Sequence, residues 1–308
     1  MKARTLIAVL LVAAATLASP AAQPRGKRIV IIAGRPSHGP GFHEFRAGSL
    51  LLQKAMSGVK GVTVDVIPMG WPKKMLDGTE VDDNAALDGA DAIFIYADGG
   101  SGNPAIQGDR VQVLDALAKK GVGLAFGHYG VEVPAGESGA TMQRWNGGYY
   151  ETNWSVNPMW APKFETFPSH PVTRGVRPFS NTDEWYFNMR WTDDETLKSR
   201  IKPLLVATPD EDVRDGPYVS PRGPYEHIIA AKGRAETMMW VFERPDGGRS
   251  FGFTGGHTHT NWGDVNQRRI VLNALLWIAK VDVPSTGVVD TITAEDLTVN
   301  LDPKRPRK

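Results

Sequence analysis

The chain has 308 residues, of which 41% are hydrophobic and 22% are charged, and its formal net charge is +1. This composition is typical of one large globular domain. A net charge so close to zero provides no long-range field to attract nucleic acid or an anionic membrane. The sequence contains no cysteine. Disulfide bonds and a cysteine nucleophile are therefore excluded.

The N-terminal segment predicts export. Lys2 and Arg4 begin a stretch in which the apolar run LIAVLLVAAATLA is followed by the small residues of SPAAQP. This order is typical of a cleavable secretory signal peptide, and the apolar run is short for a permanent membrane span. We expect residues 1–21 to be removed by cleavage after Ala21, with Ala18 as the alternative. The product would be periplasmic or secreted, without membrane association.

Alternating apolar and amphipathic segments then predict an α/β fold. RIVIIA, VTVDVI, ADAIFIYADGG and VGLAFGHYG have the apolar runs of buried parallel strands, and helices are predicted over FHEFRAGSLLLQKAM and GDRVQVLDALAKKG. This alternation with short links favours a doubly wound, mostly parallel sheet. In such sheets ligands bind at the carboxyl ends of the strands, so the loops that follow the strands are the places to examine.

The later segments complete a single domain that we place at residues 27–281. Residues 131–168 are aromatic and glycine-rich without apolar periodicity, so we interpret them as an insertion or lid. AETMMWVFERPDGGRSFGFTGG predicts a β-hairpin, and NQRRIVLNALLWIAK predicts an amphipathic terminal helix. Residues 282–308 form a C-terminal tail, and we expect its basic end, DPKRPRK, to be solvated and frayed.

Two loops contain histidine pairs. GRPSHGPGFHEF lacks the third glycine of GxGxxG and the lysine of a Walker motif, so we expect no nucleotide there. Its His38, His43 and Glu44 offer donors that suit zinc or a similar divalent metal. His257 and His259 in GGHTHTNWGD lie on the same side of an extended segment and are candidate ligands for the same metal. The alternative is that these polar residues only organise turns.

A third histidine, His128, lies in AFGHYGVE between Gly127 and Gly130. A sharp turn after a strand, flanked by glycines, is typical of a nucleophile elbow, but histidine stands where serine or cysteine would be expected. We interpret His128 as a general base or a ligand. Glu132 could orient it, and Asp98, at the end of the neighbouring strand, is a further catalytic candidate. Ordinary turn chemistry is the alternative for Asp98.

Aromatic residues of the insertion indicate a ligand class. A platform over the strand ends, for a ligand with an apolar face and hydroxylated edges as sugars have, could be formed by Trp145, Tyr149, Tyr150, Trp154 and Trp160. Packing within the insertion is the alternative for these rings. Glu184 and Tyr186 in DEWYF are further candidate substrate contacts, with a core or turn role as the alternative.

Together these segments resemble the trehalose-utilisation (ThuA-like) family. The resemblance rests on IVIIAGRPSHGPGFHE, DGADAIFIYADGG, GVGLAFGHYGVEVP, SHPVTRGVRPF, DEWYF and GRSFGFTGGHTHTNWGDVNQRRIVLNALLWIAK. It implies a flavodoxin-like fold of the class I glutamine amidotransferase type, with His128 in place of the amidotransferase cysteine. It also implies a role in sugar catabolism, on 3-keto-glycosides produced by a partner oxidoreductase.

Two hypotheses follow. The first is an exported enzyme that acts on a glycoside or its 3-keto derivative by elimination, isomerisation or hydrolysis. His128 or Glu132 would be the base, and one divalent metal would be the electrophile. The second is a carbohydrate-binding protein without catalysis, in which the aromatic rings supply affinity. We expect a small sugar or glycoside as partner and no nucleic acid, and the sequence does not indicate an oligomeric state.

Overall fold

The computed structural model describes residues 25–304, so the predicted signal peptide and residues 305–308 lie outside the described residues. The strands are β1 (Lys27–Ala33), β2 (Val62–Ile67), β3 (Lys73–Leu76), β4 (Thr79–Asp82), β5 (Ala92–Tyr96), β6 (Gly123–Gly127), β7 (Gly148–Tyr149), β8 (Met159–Trp160), β9 (Asp183–Glu184), β10 (Arg190–Trp191), β11 (Ile201–Ala207), β12 (Glu236–Glu243) and β13 (Arg249–Phe253). The α-helices are α1 (Phe45–Met56), α2 (Arg110–Lys119), α3 (Glu137–Asn146), α4 (Glu195–Lys198), α5 (Glu211–Asp215), α6 (Glu226–Ile229) and α7 (Val265–Ile278). None of the helices between residues 25 and 304 combines the length and the apolar character that a membrane span needs.

Seven strands form one sheet in the order β11-β12-β13-β6-β5-β1-β2. From β2 to β13 the neighbours are parallel, whereas β12 is antiparallel to both β13 and β11. The β-branched run of β1 suits a central position, because a parallel strand is buried on both faces. The predicted α/β fold with a mostly parallel, doubly wound sheet is confirmed, as are the hairpin β12–β13 and the terminal helix α7.

Alternate residues of each strand supply two separate cores. In β1, Ile29 and Ile31 belong to the core that includes α1 and α7, whereas Val30 and Ile32 belong to the core that includes α2 and α3. All four side chains are fully buried. Helices cover both faces of the sheet, and ligands in this class of fold bind at the carboxyl ends of the strands.

The chain reverses its direction of travel across the sheet at β1. β2 pairs with one side of β1 and β5 pairs with the other, both in parallel. The loops after β1 and β5 therefore diverge and form a crevice, which is the usual ligand position in this class of sheet. The carboxyl ends of β6 and β13 follow along the same edge, so all the histidine loops emerge at one end of the sheet.

Two segments differ from the sequence-based expectation. Residues 131–168 include α3, whose Met142 and Trp145 pack in the core of the sheet, although the assignment of this segment as a lid stays a prediction. At the C-terminus, Asp302 is 8% exposed and the Lys304 side chain is 4% exposed, so these two side chains are not solvated. Ion pairs and hydrogen bonds with the loop after β1 compensate for burying these charges.

Candidate metal centre

Three histidines at the strand ends have an unusual backbone conformation. The φ angle is +63° at His38, +48° at His43 and +49° at His128. Residues with a side chain rarely adopt this left-handed region, which costs on the order of 1–3 kcal/mol and is concentrated at functional sites. At His128 it lies where β6 ends and a single turn of 3-10 helix, His128–Val131, begins. This turn has the sharp geometry that the elbow motif predicts.

Four side chains from separate segments converge on one point, and we call them the histidine–glutamate cluster. His43 Nε2 lies 2.9 Å from His257 Nδ1 and 3.0 Å from His128 Nε2, and these last two nitrogens are 3.2 Å apart. Glu184 Oε2 lies 2.8 Å from His257 Nδ1 and 4.0 Å from His128 Nε2. Each of the four residues is at most 8% exposed. The cluster is therefore a compact, buried group of four potential metal donors.

The hydrogen bonds around the cluster determine where its protons lie. His128 Nδ1 is 3.0 Å from the carbonyl oxygen of Thr254, which can only accept, so the His128 ring donates there. His43 Nδ1 is 2.7 Å from Asp98 Oδ1 and donates in the same way. Thr254, rather than the predicted Glu132, thus orients His128. Both rings then point Nε2 into the cluster, and two imidazole lone pairs 3.0 Å apart would repel each other unless a proton or cation lay between them.

The donor types and their spacing suit a divalent metal. Donors about 2.0–2.1 Å from a tetrahedral zinc ion are about 3.3 Å apart, a few tenths of an ångström more than the nitrogen separations described above. Burial, together with His43 and His257, holds the pKa of His128 well below its usual value. A neutral imidazole is the form that binds a metal. These residues could therefore hold zinc or a similar ion.

Residues behind the cluster hold its ligands in place. Asp98 Oδ1 accepts hydrogen bonds from His43 Nδ1 and, at 3.0 Å, from Ser37 Oγ, while burial raises the pKa of the Asp98 carboxyl. Glu184 Oε1 accepts from Asn157 Nδ2 at 2.7 Å, which leaves Oε2 for the cluster. Such second partners of histidine and carboxylate ligands fix ring orientation and raise metal affinity. Asp98 therefore contacts the His43 ring on the side away from the cluster nitrogens.

Asp183 fixes the loop that carries His257. Its carboxylate accepts hydrogen bonds from the N–H groups of Gly256 at 2.8 Å and Thr258 at 2.9 Å, on either side of His257. Asp183 is fully buried, and burial raises its pKa. The sequence patterns predict no role for Asp183, and they place Glu184 among the substrate contacts rather than in the cluster. The one available signal was this acidic pair within an aromatic stretch.

Three predicted metal ligands lie outside the cluster. His38 lies beside it, in a more exposed group with His43 and Asp98. Glu44 Oε1 accepts from the N–H of Gly41 at 3.0 Å, and its Oε2 accepts from the C-terminal segment instead of facing the metal donors. His259 is buried at the start of a 3-10 helix and is not one of the residues whose donor atoms meet in the cluster. Glu44 and His259, which the sequence suggested as metal ligands, therefore have structural contacts outside the cluster instead.

One candidate acid–base group contacts the cluster, and a second lies close enough to be affected by the charge of Glu184. The Tyr186 hydroxyl lies 3.2 Å from His128 Nε2, and burial holds its pKa well above the usual value, so it stays protonated. Burial raises the pKa of Glu132 to about 7; a 2.8 Å hydrogen bond from Thr152 Oγ1 opposes this shift and the charge of Glu184 adds to it. A carboxyl that titrates near neutral pH is suited to general base catalysis.

The aromatic residues do not form the expected platform. Trp145 is 2% exposed and its indole N–H donates to Asp115 at 2.6 Å, while Tyr149 is 4% exposed. Trp154 is partly exposed, with the guanidinium of Arg190 3.6 Å from its ring centre. The sequence pattern could not distinguish rings that fill the core of the sheet from rings that face a ligand.

A cavity of about 320 Å³ opens in the crevice between β1 and β5. Asp98 belongs both to this cavity and to the group that holds His43. The volume is at the lower end of the range for small-molecule sites. Its charged and aromatic lining consists of Arg35, Trp71, Lys73, Asp98 and Arg110.

The comparisons with known proteins agree with this fold. A family model described as ThuA, trehalose utilisation, matches residues 65–278. The chain belongs to the ThuA family. Two solved structures are similar: a ThuA-like protein from Bacteroides uniformis (TM-score 0.55, 15% identity, covering 87% of this chain and 97% of that one) and one from Parabacteroides merdae (0.53, 14%, 88% and 99%). No curated protein sequence matches the chain significantly.

The ThuA match and the cluster overlap only in part. His128, Glu184 and His257 lie within the matched residues, whereas His43 and its loop precede them. The similarity to the two ThuA-like structures is below 25% identity and shows the fold alone. The chemistry of this ThuA protein must therefore be argued from its own side chains.

Proposed function

We propose that this protein is an exported enzyme of carbohydrate catabolism that binds one divalent metal through the histidine–glutamate cluster and acts on a glycoside or its 3-keto derivative. The observation that carries the proposal is the convergence of three imidazole rings and a carboxylate on one buried point. The family description, trehalose utilisation, supports a sugar as substrate. Export rests on the N-terminal sequence.

A bound metal would supply a Lewis acid for a sugar oxygen. Glu132 is the base in this proposal, because its pKa of about 7 leaves much of it ionised at neutral pH. In an elimination, Glu132 takes the proton from C2 of a 3-keto-glycoside, and the electron pair of that bond forms an enolate. The enolate then forms the C1–C2 double bond as the glycosidic oxygen leaves with its bonding pair and takes up a proton. Isomerisation needs the same first step, and hydrolysis needs water instead.

Tyr186 and the crevice have separate roles in this proposal. The protonated Tyr186 hydroxyl beside His128 donates a hydrogen bond to the oxygen on which negative charge develops. The cavity next to Asp98 holds the rest of the sugar or glycoside. Because the 3-keto group comes from oxidation of a hydroxyl, a sugar oxidoreductase must act first.

A second candidate, a non-catalytic carbohydrate-binding protein, has one observation in its favour. Four protein donors, each at most 8% exposed, resemble a closed structural metal site, whereas catalytic zinc sites keep one position for water or substrate. In that case the metal would only stabilise the fold, and sugar binding would not depend on it.

The test combines metal analysis with an activity panel. Purified protein should contain about one divalent metal per chain, and it should convert at least one 3-keto-glycoside in a metal-dependent manner. Chelation should abolish turnover, and readdition should restore it. Turnover that survives complete metal removal would contradict the metal-assisted mechanism. Metal-independent sugar binding without turnover of any substrate in the panel would favour the binding protein.

A further inference from the structure

The C-terminal segment folds back onto the loop that carries His43. Lys304 Nζ donates to the carbonyl oxygens of Phe42 and His43, the latter at 3.0 Å, and lies 3.2 Å from Glu44 Oε1. The Lys304 and Glu44 side chains are 4% and 1% exposed. An ammonium group has three N–H donors, and these three acceptors use all of them.

A second contact joins the same two segments. The backbone N–H of Asp302 donates to Glu44 Oε2 at 2.8 Å, and the Asp302 carboxylate lies 3.3 Å from Arg46 Nε. Both oxygens of Glu44 are thereby occupied, since Oε1 also accepts from Gly41. The residue that the sequence suggested as a metal ligand instead anchors the tail.

The position of this contact matters because His43 is in a strained conformation. Its φ of +48° is maintained only while surrounding contacts determine it, and its own N–H donates to the carbonyl of His257 at 3.0 Å. Lys304 binds the carbonyl groups of His43 and the residue before it. The tail therefore fixes the backbone on the side opposite the bond to His257.

We propose that Lys304 is a positioning residue of the metal centre: its ammonium group holds the backbone of Phe42 and His43 so that the His43 ring reaches the cluster. This inference rests on the proposed metal function of the cluster. It predicts that metal binding depends on the C-terminal segment, although Lys304 is 261 residues from His43 in the chain.

The test uses Lys304→Met and a chain that ends at Leu301, with two matched controls. One control ends at Lys304 and loses only residues 305–308. The other is Lys54→Met, which removes the exposed ion pair of Lys54 with Asp296 and so weakens the tail without touching the His43 loop. All are compared with the unmodified chain by circular dichroism, Co²⁺ titration with its visible spectrum, and amide hydrogen exchange of Phe42–Glu44 without metal.

Both test variants should bind Co²⁺ at least about tenfold more weakly, with a changed visible spectrum, and should exchange the His43 amide faster, whereas both controls should match the unmodified chain. If the shortened chain does not fold, the comparison of Lys304→Met with the unmodified chain decides whether the inference holds. Unchanged affinity, spectrum and exchange in Lys304→Met would overturn the inference. If the unmodified chain binds no metal, the proposed function fails, and the exchange of His43 alone still decides whether Lys304 holds the loop.

Discussion

Asp98 accepts a 2.7 Å hydrogen bond from His43 Nδ1, and this bond connects the ligand crevice to the histidine–glutamate cluster. It fixes the tautomer of His43, so that Nε2 carries the lone pair that faces His128 and His257. A carboxylate behind a histidine ligand also increases its basicity. One side chain thus touches both the cavity and the metal donors.

Replacing Asp98 should weaken metal binding. We expect Asp98→Asn to lower the affinity for zinc about tenfold and Asp98→Ala about a hundredfold, because the charge and then the acceptor itself are lost. A competition titration with a chelating dye measures both. Asp91→Asn is the control, since Asp91 lies at the amino end of β5, away from the cluster. Equal effects of Asp98→Asn and Asp91→Asn would contradict a role through His43.

Two histidines of one loop should respond differently to replacement. His257→Ala removes a donor of the cluster, and we expect the purified variant to lose its stoichiometric metal. His259→Ala should retain the metal, although removing a ring that is 2% exposed should lower the free energy of unfolding by about 1–3 kcal/mol. Elemental analysis and chemical denaturation of both variants provide the measurement. Metal loss in both, with both folded, would show that the loop rather than His257 is what matters.

The strand-end histidines could be predicted because their position follows from the sheet. Apolar runs identify parallel strands, parallel strands end at a common edge, and His43, His128 and His257 each follow such a run. No side-chain detail was needed to expect them to meet. The glycines beside His128 further indicated the sharp turn that its φ of +49° now shows.

The remaining site residues depend on tertiary contacts that no local pattern encodes. Glu184 lies in the two-residue strand β9, whose position depends on its pairing with β8, and its carboxylate is held by Asn157. Glu44 has the right chemistry for a ligand, but the C-terminal segment occupies both of its oxygens. Trp145 lies in a helix whose buried residues also include Gly139, Thr141 and Asn146, so its core-facing side is not an apolar stripe in the sequence.

Glu132→Gln should reduce activity and increase stability at alkaline pH. If Glu132 is the base, the rate of the unmodified enzyme should rise with pH through about 7, and the variant should lose about 10²–10⁴-fold in turnover. The folded-state pKa lies above the unfolded value of 4.5, so ionisation destabilises the fold as pH rises through this interval. Glutamine removes that cost, and we expect a gain of about 2 kcal/mol at pH 8. A pH–rate profile that is unchanged in the variant would remove Glu132 as the base.

His170, which is not a member of the cluster, offers a test of stability at acid pH. It precedes the 3-10 helix Pro171–Thr173, and its Nδ1 accepts from the Val172 N–H at 3.2 Å. Burial first, and then the positive charges of Lys202, Arg249 and Arg174, lower the pKa of His170 from 6.5 to about 4.

As pH falls from 6.5 to about 4, the unfolded chain binds a proton at His170 before the folded protein does, so its contribution to stability is present above 6.5 and lost across this interval. Asparagine can replace the helix cap but does not titrate. Between pH 7 and pH 5 we therefore expect the unmodified protein to lose about 1 kcal/mol more stability than His170→Asn, after allowance for partial exposure. Urea denaturation of both proteins at several pH values measures this difference. The contributions of the other histidines are the same in both proteins and cancel when the two stabilities are subtracted. Parallel stability curves would mean that His170 titrates alike in the folded and unfolded chain.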